Sequence, residues 1–133
     1  MSLRTMRLVA AAAAAGSAVL YYLIGFGVLF IGESTTGAND ILGFGLTVGT
    51  VFVVAGVLVL FVHRRWFVAL VTLMNLGVIA GYFALAGVRV PPFEPWGLLI
   101  KALQVVLLAA LLGLLFRRRS HVLNGVPRHS AAR

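Results

Sequence analysis

The sequence predicts an all-α integral membrane protein: a four-helix transmembrane bundle with both termini in the cytoplasm. Three observations carry this reading. Of 133 residues, 62% are hydrophobic and 11% charged, with a mean hydropathy of +1.08. A soluble domain is about half apolar and about a quarter charged, and a globule this small exposes too much surface to hide such an excess. The apolar residues fall in four runs, each long enough to supply the ~20 helical residues that cross a bilayer core. The basic residues stand at the ends of those runs and are divided unequally between the two sides.

The first span is expected at about 8–32, after a basic start with Arg4 and Arg7. Ala13, Ala14 and Ala15 resemble a signal-peptide cleavage region. The apolar run continues past them through Gly16 to Leu20, so a retained signal anchor is expected. Glu33 to Asp40 form a polar turn holding two of the three acids, and the second span covers 41–62. His63-Arg64-Arg65 make a short basic turn into the third span, 66–86. The loop from Gly87 to Pro95 carries Arg89, Glu94 and the Pro91-Pro92 pair. Successive prolines fix φ and remove amide donors, so this loop is stiff and not helical. The fourth span covers 96–116. Residues 1–119 thus make one domain, and 120–133 form a basic cytoplasmic tail without fixed structure.

Orientation follows from the arginines. Arg4, Arg7, Arg64, Arg65, Arg117, Arg118 and Arg119 share one side, against Arg89 on the other and Lys101 inside the fourth span. That asymmetry predicts a multi-pass plasma-membrane protein with both ends inside. Trp66 and Trp96 stand at span ends, where indole rings favour the interface. The net charge of +8 is therefore read as orientation and attraction to anionic lipid, and not as a nucleic-acid footprint.

Helices in lipid associate by close backbone approach and by polar contacts. The second span offers Gly45, Gly49 and Gly56 on one stripe, and the third offers Gly77 and Gly81 with Ala84. Two such stripes joined by a tight turn predict that the second and third spans pack glycine face to glycine face. The other side of the third span carries Thr72, Asn75, Ile79 and Tyr82, while Gly97, Lys101, Gln104 and Leu108 line one face of the fourth. Asn75 and Tyr82 are expected to face Gln104 and Lys101 in a polar seam that Ser17 and Tyr21 of the first span can join. Lys101 lies about 7 Å below Trp96 at helical rise. It is either snorkelled, with Glu33 or Glu94 as ion partners, or the centre of an anion- or proton-linked site. Outer-face pairing among Glu33, Glu94 and Arg89 is also expected.

The chain has no cysteine, which removes disulfides and thiolate chemistry. His63, His121 and His129 lack metal-ligand spacing, and the acids form no catalytic pair. There is no phosphate loop, nucleophile elbow or zinc-protease motif. No cofactor, metal or catalysis is expected, with a lipid-directed enzyme using Glu33, Asp40 or Glu94 as a remote third class. Two classes lead: an accessory subunit or homo-oligomer held by its glycine stripes, and a small transporter or channel built on Lys101, Gln104, Asn75 and Tyr82.

Some family resemblances bear on the second class. The four-span size is similar to small multidrug exporters, but the first span holds Ser17, Tyr21 and Tyr22 where those proteins depend on a glutamate. Thr72-Leu73-Met74-Asn75 with Gly81 looks like part of the fluoride-channel signature, one residue short between Thr and Asn and without the preceding motif residues. By architecture alone the layout is similar to bacterial four-helix membrane proteins of the DoxX-like kind.

Overall fold

The computed structural model describes residues 2–30, 33–34, 41–86, 89–90 and 94–123. Its elements are α1 (Leu3–Gly25), β1 (Glu33–Ser34), α2 (Ile41–Phe61), α3 (Arg65–Ala86), β2 (Arg89–Val90) and α4 (Pro95–Leu123). All four helices are long and apolar enough to cross a membrane. The strands form a two-residue antiparallel ribbon, Glu33 opposite Val90 and Ser34 opposite Arg89. It ties the α1–α2 and α3–α4 loops together at one end of the bundle.

Local chemistry sets the helix ends. Ser2 caps α1, its hydroxyl accepting from the Thr5 amide at 3.0 Å. Helix α1 therefore starts five residues before the expected span and carries Arg4 and Arg7 inside it. It also stops early, at Gly25. Gly27 has φ +71, its amide bonds the Ile24 carbonyl at 3.0 Å, and the Val28 amide bonds Leu23 at 2.9 Å. This pairing is a Schellman closure, and it needs a left-handed residue that glycine supplies without a Cβ clash. Pro95 opens α4 where its missing amide costs nothing, and Leu98 N–H reaches the Glu94 carbonyl at 3.0 Å. At the other end α4 runs through Arg117-Arg118-Arg119 to Leu123. The first residues assigned to a tail without structure are thus helical, and 124–133 lie outside the described residues.

In space the helices run α2–α1–α4–α3, and the two outer members, α2 and α3, barely meet. The expected glycine-to-glycine packing of α2 on α3 is corrected here. A Cβ at Gly45 would lie 2.6 Å from the Gly25 Cα and the Tyr21 carbonyl oxygen, both in α1. A Cβ at Gly49 would lie 2.8 Å from the Tyr22 ring, and one at Gly56 would lie 3.1 Å from the Ala14 Cβ. The α2 stripe therefore seats on α1, whose alanines and Gly25 let the backbones close up. Among the described residues nothing lies within 4 Å of a Cβ built at Gly77 or Gly81 of α3, so neither packs against another described helix.

Between the ends, Phe52, Leu107 and Leu111 are fully buried in the bundle. One deep interaction is charged. Arg7, only 9% exposed, donates from Nη1 to the carbonyls of Val59 at 2.5 Å and Val62 at 3.2 Å. It caps the C-terminal carbonyls of α2, which have no partners within their own helix.

Candidate functional site

Four buried polar side chains meet in the half of the bundle nearer the β1–β2 ribbon. Lys101 and Gln104 are one turn apart on α4, so their side chains share a face. Lys101 Nζ donates to Gln104 Oε1 at 2.6 Å and to the Tyr21 hydroxyl at 3.4 Å. Gln104 Nε2 donates to the same Tyr21 oxygen at 3.4 Å. Across from them, Asn75 Nδ2 donates to the Gln104 backbone carbonyl at 2.9 Å. Asn75 and Gln104 are fully buried and Lys101 is 5% exposed. The ammonium also lies 4.9 Å from the Tyr82 ring centroid, in cation–π geometry.

Neighbouring helices fix these positions. Tyr21 stacks on Phe52 of α2 at 5.8 Å and meets Phe44 edge-on at 6.0 Å, which pins its ring. Tyr82 reaches over Lys101 because Gly97 has no side chain, since a Cβ there would lie 2.5 Å from the Tyr82 hydroxyl. Gly97 was legible as a member of the Lys101 face, but its part in admitting Tyr82 was not. Ser17 is fully buried yet turns back to the Ala13 carbonyl at 3.0 Å, so it does not join the network. Thr72 likewise bonds the Val68 carbonyl at 2.7 Å.

The hydrogen-bond partners of Lys101 are all neutral. Among the described residues no carboxylate lies within ion-pairing distance of its ammonium. Glu94 immediately precedes α4, seven residues before Lys101, or about 10 Å along the helix axis at helical rise. It is 5% exposed and lines the same cleft. The side chains of Glu33 and Arg89 lie outside the described residues, and so does their expected ion pairing.

A cleft of about 190 Å³ opens onto this cluster. Its walls are Tyr21 and Ile24 of α1, Phe44 and Val48 of α2, and Val78 and Tyr82 of α3, with Lys101 among the α4 lining. It lies where α2 and α3 fail to meet, and Gly81 leaves one wall low. Tyr21 accepts two of the hydrogen bonds above, so its own O–H is available, and so is one N–H of Lys101. Those donors suit an oxyanion. The Asn75 Oδ1 has no hydrogen-bond partner among the described residues. Below Gln104 the bundle closes on Phe52, Leu107 and Leu111.

No family model, curated protein or solved structure matches this chain.

Proposed function

We propose that this is a non-enzymatic plasma-membrane protein, both termini cytoplasmic, that binds a small amphiphile with one acidic end in the cleft at Lys101. The single observation that carries the reading is a buried ammonium with neutral partners facing an apolar cleft. An intramembrane ionisable residue is a functional candidate by default, and among the described residues no carboxylate lies within ion-pairing distance of this ammonium, although an ion taken out of water favours a close counter-charge. The cleft, of about 190 Å³, is smaller than the ~300–1,000 Å³ of pockets that enclose a drug-sized ligand. It has room for a headgroup and a few carbons, so the remaining tail would leave through the gap between α2 and α3 into lipid. A carboxylate at Glu94, nearer the entrance, disfavours a ligand with several negative charges. The packed centre at Phe52, Leu107 and Leu111 makes a carrier or binding protein a better fit than an open channel. The charge asymmetry of the sequence supports the orientation.

A second reading is association with another polypeptide or a second copy through α3. It is supported by Gly77 and Gly81, whose open faces would admit a close helix. Native mass spectrometry after mild extraction from the source membrane separates the two. A bound small acid of fixed mass supports the first reading, and a second polypeptide at fixed stoichiometry supports the other.

A further inference from the structure

At the opposite end of the bundle lies a second cavity, of about 310 Å³, that the Lys101 cleft does not reach. Arg4 and Arg7 of α1, His63 of the α2–α3 turn and Arg65 of α3 line it, over an apolar floor that includes Leu60 and Leu114. We propose that this cavity binds a phosphate group carried on an apolar body, the headgroup of an anionic phospholipid.

Charge makes the case first. The chain has only three acidic side chains, Glu33, Asp40 and Glu94. Of these, Glu33 in β1 and Glu94 before α4 stand at the ribbon end, and among the described residues no carboxylate lines this cavity. Arg4 has no hydrogen-bond or ion partner among the described residues. Arg65 spends one long bond, 3.4 Å, on the Leu115 carbonyl and keeps its other N–H groups. The α2 carbonyls, which would repel an anion at this end, are covered by Arg7. Guanidinium groups on separate helices present forked donors that match phosphate oxygens.

Depth and shape then favour a lipid over a free ion. Trp66 follows Arg65 and is 63% exposed, as an indole at the headgroup level would be. The cavity is larger than a phosphate needs, and its floor is apolar, as the glycerol and first methylenes of a lipid require. Basic pockets between transmembrane helices are where anionic headgroups lodge.

The test uses the full chain in an uncharged maltoside detergent. Binding of dioctanoyl phosphatidylglycerol, dioctanoyl phosphatidylcholine and inorganic phosphate is titrated by native mass spectrometry. The expected result is saturable binding of phosphatidylglycerol that is weakened roughly tenfold or more in the double variant Arg4→Gln/Arg65→Gln, since each charge near an anionic headgroup contributes several-fold in affinity. Arg64→Gln removes one positive charge from a residue outside the cavity and should change binding less than twofold. Both variants should melt as the parent does without lipid. Competition by millimolar phosphate would keep the site and make free phosphate its ligand. Equal binding of phosphatidylcholine, an equal loss in Arg64→Gln, or no saturable binding of any probe would overturn the proposal.

Discussion

Lys101 gives a hydrogen of its ammonium to the amide oxygen of Gln104, one turn further along the same helix, at 2.6 Å. The residue that carries the charge and the residue that solvates it thus travel together on α4. A buried cation held this way has lost water and gained only neutral acceptors, which recover part of the hydration energy. Removing the charge should therefore not harm the empty protein. Lys101→Met is expected to insert and assemble normally and to unfold with a gain of up to about 2 kcal/mol, the cost of a buried charge less the lost hydrogen bonds. Unfolding of parent and variant in mixed micelles measures this, and a loss above about 1 kcal/mol would make Lys101 a structural residue.

The glycines of α2 and α3 should respond oppositely to the same change. Gly45→Val forces atoms to within 2.6 Å of α1 backbone, where no side chain can move aside. It should destabilise the bundle by about 1–3 kcal/mol or more. Gly77→Val meets open space and should stay within about 0.5 kcal/mol. Melting of both variants as monomers in detergent decides it. A larger loss at Gly77 than at Gly45 would return the interface to α2 and α3.

Among the described residues the Asn75 side chain makes one hydrogen bond and its Oδ1 has no partner. Asn75→Leu loses the bond to the Gln104 carbonyl but also removes a buried orphan acceptor. The two nearly offset, because interhelical hydrogen bonds in membranes average about 0.6 kcal/mol. The expected change in stability is under about 1 kcal/mol, and a loss above about 2 kcal/mol would mean that Asn75 holds α3 to α4.

Arg7 should matter more than its position near the start of the chain suggests. Arg7→Met uncovers the Val59 and Val62 carbonyls. A hydrogen bond from a charged group contributes about 1.5–3 kcal/mol, so a loss of that size is expected. Hydrogen exchange should also show faster opening of the last turn of α2. Unchanged exchange there would rule out the capping role.

The presence of four long apolar helices could be read directly, because a bilayer demands about 20 apolar residues and the polar breaks between the runs are short, but the bounds of the first could not, since Ser2 and Gly27 set them at Leu3–Gly25. The Lys101 cluster was legible too. Asn75 with Tyr82, and Lys101 with Gln104, recur at helical spacing on otherwise apolar faces. Which helices pair was not legible. The α2 glycines match a small-residue partner on either side, and the tight His63-Arg64-Arg65 turn pointed to α3. The decision came from Ala14, Gly25 and the Tyr21 backbone of α1, whose fit depends on helix rotation that hydropathy does not encode. Arg7 counted as a flanking charge, although it falls on the same stripe as Ala10, Ala14, Ser17 and Tyr21, all buried. That spacing was the available signal for its inward position.

Titration of decanoate into the purified protein asks whether the cleft at Lys101 takes an acidic amphiphile. Decanoate should bind saturably to the parent, with decylamine at least tenfold weaker, and binding should fall at least tenfold in Lys101→Met while Gly77→Val binds as the parent does. Equal binding of decanoate and decylamine, or full binding by Lys101→Met, would contradict the proposed function.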